Sequence, residues 1–286
     1  MAEIRAATLP GTLGRANEDA YAVLPTLVVV ADGATSPPQL GDGCRHGPAW
    51  YARRLVGNVV AAHVEDPRAP AAYLLAEAID RTTAAHADTC DITHPGTPGA
   101  TVTMLLLEDH RGAGWLVLGD ATLVLDTADD LHVICDDRLS KTSNAERAAV
   151  LASDGVALSR EEHSRRVAAL VHSQRRYRNR PGGFWVAATD PQAAHNALTG
   201  VAALPGPDGL RRAALLTDGA TRAVETFGLM SWRTALDLMA TKGPTALLDI
   251  VRAAENDDPE GATFPRTKRS DDATALLVSW SGDHRD

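Results

Sequence analysis

Cysteine is scarce in this chain: Cys44, Cys90 and Cys135 are the only three in 286 residues. An odd count, with neither a CxxC pair nor a Cys/His zinc spacing, offers no disulfide framework and no zinc-finger pattern. Such usage suits a reducing compartment, and each thiol is expected to behave as a small buried hydrophobe. Long apolar runs are missing too. No stretch approaches the ~18 residues of a membrane helix, and the opening MAEIRAATLPG lacks the apolar segment of a signal peptide. The expectation is a cytoplasmic protein with no membrane partner. Positive charge is in deficit, with 28 Lys and Arg against 37 Asp and Glu, a net charge of -9. That balance weighs against nucleic acid as the main partner. Phosphate stays within reach if cations mask the carboxylates. Trp50, Trp115, Trp185, Trp232 and Trp280 are scattered, so packing is expected of them rather than a stacking platform. His63, His86 and His94 show no paired ligand spacing.

What is present reads as strands in runs and helices in pairs. TLVVVADG is a short buried strand stopped by Asp-Gly. Downstream, Tyr51, Leu55, Val59 and Ala62 recur at helical spacing. Pro70 opens a second helix carrying Leu75, Ile79 and Thr82. ATVTMLLLE, GWLVLGD, TLVLD and LHVICD follow, separated by turn-forming HRGAG and TADD, in a spacing that suits an antiparallel meander. The later half offers GVAALPG, AALLTDG, helices over 231–240 and 244–254, and a closing strand ATALLVSW. This grammar favours an α+β sandwich, sheet on sheet with helices outside, over a parallel βαβ fold. One domain over 1–286 is expected, with a polar helical or flap insertion at about 139–190. That insertion holds Arg175, Arg176, Arg178 and Arg180, which read either as a solvated helix end or as a docking surface for an acidic or phosphorylated substrate.

Five short motifs set a carboxylate at a strand end or beside a glycine turn: NED (Glu18, Asp19), VVVADGA (Asp32, Gly33), VLGDAT (Asp120), ALLTDGA (Asp218) and KRSDDATALLV (Asp271, Asp272). A single strand-end Asp-Gly is an ordinary turn. Recurrence changes the reading, because strands ending together would gather unpaired like charges that only a cation makes sensible. Oxygen donors without a Cys or His set suit Mg2+ or Mn2+. Gly33 also lets the backbone approach closely enough for its carbonyl to join them. Asp190, before Pro191, reads as a helix cap.

The order NED, ADG, GD, TDG, DDAT, followed by a late apolar strand, resembles the metal-dependent, type 2C serine/threonine protein phosphatases from about Ile4 to Trp280. The resemblance implies a four-layer α-β-β-α arrangement of two antiparallel sheets flanked by helices, with two Mg2+ or Mn2+ ions at one end and a third, weaker ion in many members. Carried over by position, Asp32 bridges the two ions. Gly33 offers its carbonyl, and Glu18 helps hold one ion directly or through water. Asp218 and Asp271 hold the other, Asp19 supports from beside the site, and Asp120 matches the acid for the third ion. The implied chemistry is hydrolysis of phosphoserine or phosphothreonine in proteins, by a water that the ion pair deprotonates for in-line attack. The lack of a CxxxxxR loop or a DxDxT motif agrees, since no covalent protein nucleophile is then required.

The chain departs from the family pattern in three places. Gly14 stands where many members carry a phosphate-binding arginine, and Arg15, one step later, is the candidate for that role. GDAT has no arginine. A longer loop, ATSPPQLGDGCRHG, follows Asp32-Gly33 and carries Asp42, Cys44 and His46. His46 could protonate the leaving alkoxide, or be polar loop surface. These departures keep two alternatives open: a weak or inactive member that binds a partner, and a phosphatase of small metabolites.

Overall fold

The computed structural model describes residues 2–34, 36–108, 112–127, 130–151, 159–203 and 209–280. The order is β1 (Ala2–Leu9), β2 (Asp19–Leu24), β3 (Leu27–Gly33), a short 3-10 turn (Pro38–Leu40), α1 (Gly47–Glu65), α2 (Ala71–Ala84), β4 (Ala100–Glu108) and β5 (Gly112–Leu118). Then come β6 (Thr122–Thr127), β7 (Leu131–Cys135), α3 (Asn144–Leu151), α4 (Arg160–Gln174), α5 (Gln192–His195) and β8 (Leu198–Ala202). The chain continues with β9 (Leu210–Leu216), α6 (Asp218–Glu225), α7 (Trp232–Lys242), α8 (Pro244–Asp257) and β10 (Ala273–Trp280). One sheet has the order β1-β10-β9-β6-β7 and the other β2-β3-β4-β5-β8. Within each sheet every pairing of these strands is antiparallel.

The period of two along each strand builds three apolar layers. In β3, Leu27, Val29 and Ala31 meet α1 and α2 through Tyr51, Leu55, Val59, Leu75 and Ile79. Val28 and Val30 turn the other way, to meet Leu123, Leu215, Leu276 and Val278 between the sheets. The second sheet repeats the scheme: Ala275 and Leu277 face Leu236, Met239, Leu248 and Val251 of α7 and α8. A strand buried on both faces has no polar alternation, which is why TLVVVA and ATALLV read as unbroken apolar runs. The tryptophans pack as expected: Trp185 in the first layer, with Trp50 against it, Trp232 against the second, and Trp115 and Trp280 against the third.

The four-strand meander does not form. β4 pairs β5 and β6 pairs β7, but β5 turns to β8 while β6 joins β9 in the other sheet. The crossing runs through Gly119, whose φ of 77° few other residues adopt, and it leaves Asp120 at the junction of the sheets. The turns expected at HRGAG and TADD, the end of GVAALPG, and 152–158 within the 139–190 stretch fall wholly or partly outside the described residues. The rest of that stretch holds α3 and α4, which pack together. Asp190 does not cap α5 as expected: the N-cap is Pro191, without a side-chain cap, and the Asp190 Oδ1 accepts the Gln192 N–H at 2.9 Å in the turn leading into the helix.

Candidate functional site

The acids gather at one end of the sandwich. Asp19 opens β2 and lies opposite Asp32, near the end of β3. Asp218 follows β9, Asp271 precedes β10, and Asp120 sits on the crossing between the sheets. Hydrogen bonds stitch these strand ends together. The Asp272 carboxylate accepts the N–H groups of Gly11 and Glu18, each at 2.7 Å, tying the loop before β2 to the start of β10. Thr217 Oγ1 donates to Asp19 Oδ2 at 2.9 Å and accepts the Thr274 N–H at 2.9 Å. The Gly33 N–H donates to the Glu18 carbonyl at 3.1 Å. A side chain at Gly33 would meet that carbonyl at 2.8 Å and Pro48 at 3.0 Å, so only glycine fits this approach.

Asp32, Gly33, Asp120, Asp218 and Asp271 line one cavity of about 210 Å3, together with Ser36, Thr101, Arg175, Arg178, Phe184 and Lys268. Burial is the main force on Asp32, Asp120 and Asp218. It lifts Asp32 well above the usual carboxylate range, helped by Asp19, Asp218 and Asp271. Burial and Asp218 push Asp120 up to about 7. Burial and Asp271 raise Asp218. Asp19, 6% exposed, is pushed up to about 7 by burial, against hydrogen bonds from Thr274 and Thr217, and its Oδ1 has no hydrogen-bond partner among the described residues.

Cations of the chain answer only part of this charge. Lys268 Nζ donates to Asp271 Oδ1 at 2.8 Å. Burial works against its charge, but Asp271, Asp218 and Asp32 outweigh it and hold the ammonium above its usual range. Arg222 spans Asp271 Oδ2 at 3.1 Å and the fully buried Glu255 at 2.6 Å, and Arg252 closes on Glu255 at 2.6 Å. Both Lys268 and Arg222 are engaged by Asp271, which leaves Asp32, Asp120 and Asp218 as a surplus of negative charge with no ion-pair partner among the described residues. A set of hard oxygen donors with that surplus and an orphaned buried carboxylate oxygen beside it fits divalent ions such as Mg2+ or Mn2+.

The expected site residues divide. Asp32, Gly33, Asp120, Asp218 and Asp271 share the cavity wall, while Asp19 stands behind it with its carboxyl buried. Glu18 is fixed through its backbone and is not among the lining residues. Arg15 is exposed on the loop before β2, outside the cavity. His46 is also elsewhere: its ring stacks on Trp50 at 4.3 Å, and its Nδ1 faces Cys44 and Cys90. It lies outside the cavity wall, so the general-acid reading is set aside.

Arg175 and Arg178 reach the cavity instead. Arg175 docks on the carbonyls of Leu40 (3.1 Å) and Gly41 (2.5 Å) and on Ser36 Oγ (3.1 Å), and Arg178 donates to the Thr97 carbonyl at 2.7 Å. Their guanidiniums lie where side chains on Gly96 and Gly99 would stand. The Arg175 Nε and Arg178 Nη2 atoms have no hydrogen-bond partner among the described residues, and burial draws Arg178 down to about 10. The basic run was legible in the sequence; its placement against HPGTPG was not. Arg176 is exposed, as is Arg180. Lys268 had no signal beyond its closeness to Asp271.

A two-sheet sandwich with clustered acids at one end defines a class of metal-dependent phosphatases, and the comparisons agree. The family model described as protein phosphatase 2C matches residues 13–240, and the chain belongs to that family. Among solved structures, the PPM Ser-Thr phosphatase MsPP from Mycobacterium smegmatis, in complex with cacodylate, is 18% identical, with 98% of each chain covered and a TM-score of 0.54. The serine/threonine phosphatase PstP/Ppp of Mycobacterium tuberculosis is 16% identical over 98% of this chain and 99% of its own, at 0.55. The PstP catalytic domain in complex with two manganese ions is 17% identical over 97% of both chains, at 0.53. At these identities the structures share the fold. No curated protein matches the sequence.

Proposed function

We propose that this chain is a Mg2+- or Mn2+-dependent phosphomonoester hydrolase that removes phosphate from phosphoserine or phosphothreonine in proteins. The observation that carries the reading is the convergence of Asp32, Asp120, Asp218 and Asp271 on one cavity with Arg175 and Arg178 beside them. The manganese pair in the related PstP domain supports the same choice of ion. When bound, two divalent ions would supply an activated water and neutralise charge developing on the phosphoryl oxygens.

The chain's own residues supply the rest. Asp32 is assigned to both ions, Asp218 and Asp271 to one, and Gly33 through its carbonyl to the other, with Glu18 completing that side directly or through water. Asp120 is assigned to a third ion, and Asp19 supports the site from the neighbouring strand. Arg175 and Arg178 take the phosphate, the part the family gives to an arginine that is Gly14 here; planar guanidinium groups pair phosphate oxygens two at a time. His46 is given no part. The 139–190 stretch, which carries both arginines, acts as a flap over one domain.

The test is phosphate release from phosphoserine and phosphothreonine peptides and from a panel of small phosphorylated metabolites, with Mn2+. Peptide turnover that disappears in Asp32→Ala and Asp218→Ala supports the reading. Turnover confined to metabolites, or retained in either variant, overturns the substrate class or the site. A second reading, a weak or inactive member that binds a partner, draws on one observation: Lys268 and Arg222 both already hold Asp271. Manganese binding without turnover on any substrate would favour it.

A further inference from the structure

A second cluster of ligating side chains lies outside the aspartate cavity. Cys44 and His46 sit in the loop before α1, and His86 and Cys90 follow α2. The four ligand atoms lie within 4.8 Å of one another. Cys44 Sγ is 3.5 Å from His46 Nδ1, 3.5 Å from His86 Nδ1 and 2.7 Å from Cys90 Sγ, and Cys90 Sγ is 3.3 Å from His46 Nδ1. The cysteines are free thiols. His86 is 1% exposed, and its Nε2 has no partner among the described residues, so its Nδ1, turned toward sulfur, makes the ring's polar contact. Trp50 screens one flank, stacked on His46 at 4.3 Å and tilted against His86 at 5.4 Å.

We propose that Cys44, His46, His86 and Cys90 form a structural zinc site. Two thiolates and two imidazoles on one centre are the donor set of a closed tetrahedral zinc site, and four protein ligands leave no open position for chemistry. Sulfur and nitrogen donors select against the hard ions suited to the aspartates. Binding Zn2+ displaces the two thiol protons to solvent, and the resulting centre is neutral. The bridge ties the loop leaving β3 to the segment entering β4, which already meet where the Asp91 N–H donates to the Gly43 carbonyl at 2.8 Å. Those two segments carry the Leu40, Gly41 and Thr97 carbonyls on which Arg175 and Arg178 rest. Zinc would therefore stiffen the wall of the neighbouring cavity without entering it. All three cysteines are only partly buried, against the expectation of small buried hydrophobes, and Cys44 and Cys90 meet His46 and His86 because CxH and HxxxC are joined by the packing of α1 on α2.

The test uses the full-length protein, purified without a metal-affinity column and assayed for metal by mass spectrometry. Expected is about one zinc per chain, present equally in Asp218→Asn and lost from Cys44→Ser and Cys90→Ser, which should also melt at lower temperature. Should those variants fail to fold, Co2+ added to zinc-stripped wild-type protein gives the second readout. A thiolate-to-cobalt charge-transfer band with strong tetrahedral visible bands, erased by Zn2+, supports the site; a weak octahedral spectrum overturns it. Zinc unchanged in Cys44→Ser, or a Cys44–Cys90 disulfide that leaves only Cys135 reactive in thiol titration, also overturns it.

Discussion

Asp19→Asn isolates the cost of gathering like charges at one end of the sandwich. Asp19 is 6% exposed, faces Asp32 in register, and has an unpaired Oδ1. Burial, with smaller contributions from Asp218 and Asp272, raises its carboxyl from 3.8 to about 7. Raised in the folded state, the group keeps its proton longer there than in the unfolded chain. Metal-free stability from this group is therefore full below the unfolded value of 3.8, is lost as pH climbs to about 7, and stays level above. At about 1.4 kcal/mol per pH unit the interval amounts to ~4 kcal/mol, which local relaxation and water entry reduce to ~2–4 kcal/mol. The amide keeps an oxygen for Thr217 and turns a donor toward Asp32. In EDTA at pH 8 the variant should melt ~5–10 °C above the wild-type protein by circular dichroism. At pH 5, where Asp19 is protonated in the fold, most of that gain should vanish, and Mn2+ at pH 8 should close the gap by neutralising the cluster. A variant that melts no higher than wild type at pH 8 in EDTA, or gains equally at both pH values, refutes the reasoning.

Three further outcomes follow from the same geometry. Glu255→Ala leaves Arg222 buried without its carboxylate partner and should cost ~3–5 kcal/mol in urea unfolding, since Glu255 is fully buried between Arg222 and Arg252. Arg175→Ala and Arg178→Ala should each raise KM for a phosphopeptide by roughly 10- to 100-fold, as expected for a charge-assisted contact of about 1.5–3 kcal/mol, while the exposed Arg15→Ala changes it little; an effect confined to Arg15 would reverse the assignment. Lys268→Ala removes the ammonium that competes for Asp271 and should tighten Mn2+ binding by about an order of magnitude in calorimetry. Weaker binding would make Lys268 a supporter of the site instead of a competitor.

Local chemistry made the acid motifs legible. Each strand end announces itself by an apolar run that stops at Asp or Asp-Gly, and a cluster is implied once several such ends share one edge. The helices over Tyr51–Ala62 and Leu75–Thr82 were legible for the same reason, since their buried faces repeat at helical period. What lay hidden depends on contacts between distant segments. Nothing local to GDAT says that β5 and β6 part into different sheets, because Gly119 only permits the bend and pairing with β8 and β9 decides it. Arg175 and Arg178 acquire meaning from Gly96 and Gly99, nearly eighty residues away in sequence. The Cys44–His46 and His86–Cys90 pairs meet only through helix packing, which a search for linear zinc spacing does not detect.

The central claim, that the aspartates form a two-ion catalytic site, is tested most directly by titrating Mn2+ into wild-type protein and Asp32→Asn by calorimetry. Asp32 is the carboxylate assigned to both ions, so the account predicts two Mn2+ per wild-type chain in the cavity and the loss of both in the variant. Manganese binding that is unchanged in Asp32→Asn, or absent from the wild-type protein, would contradict it.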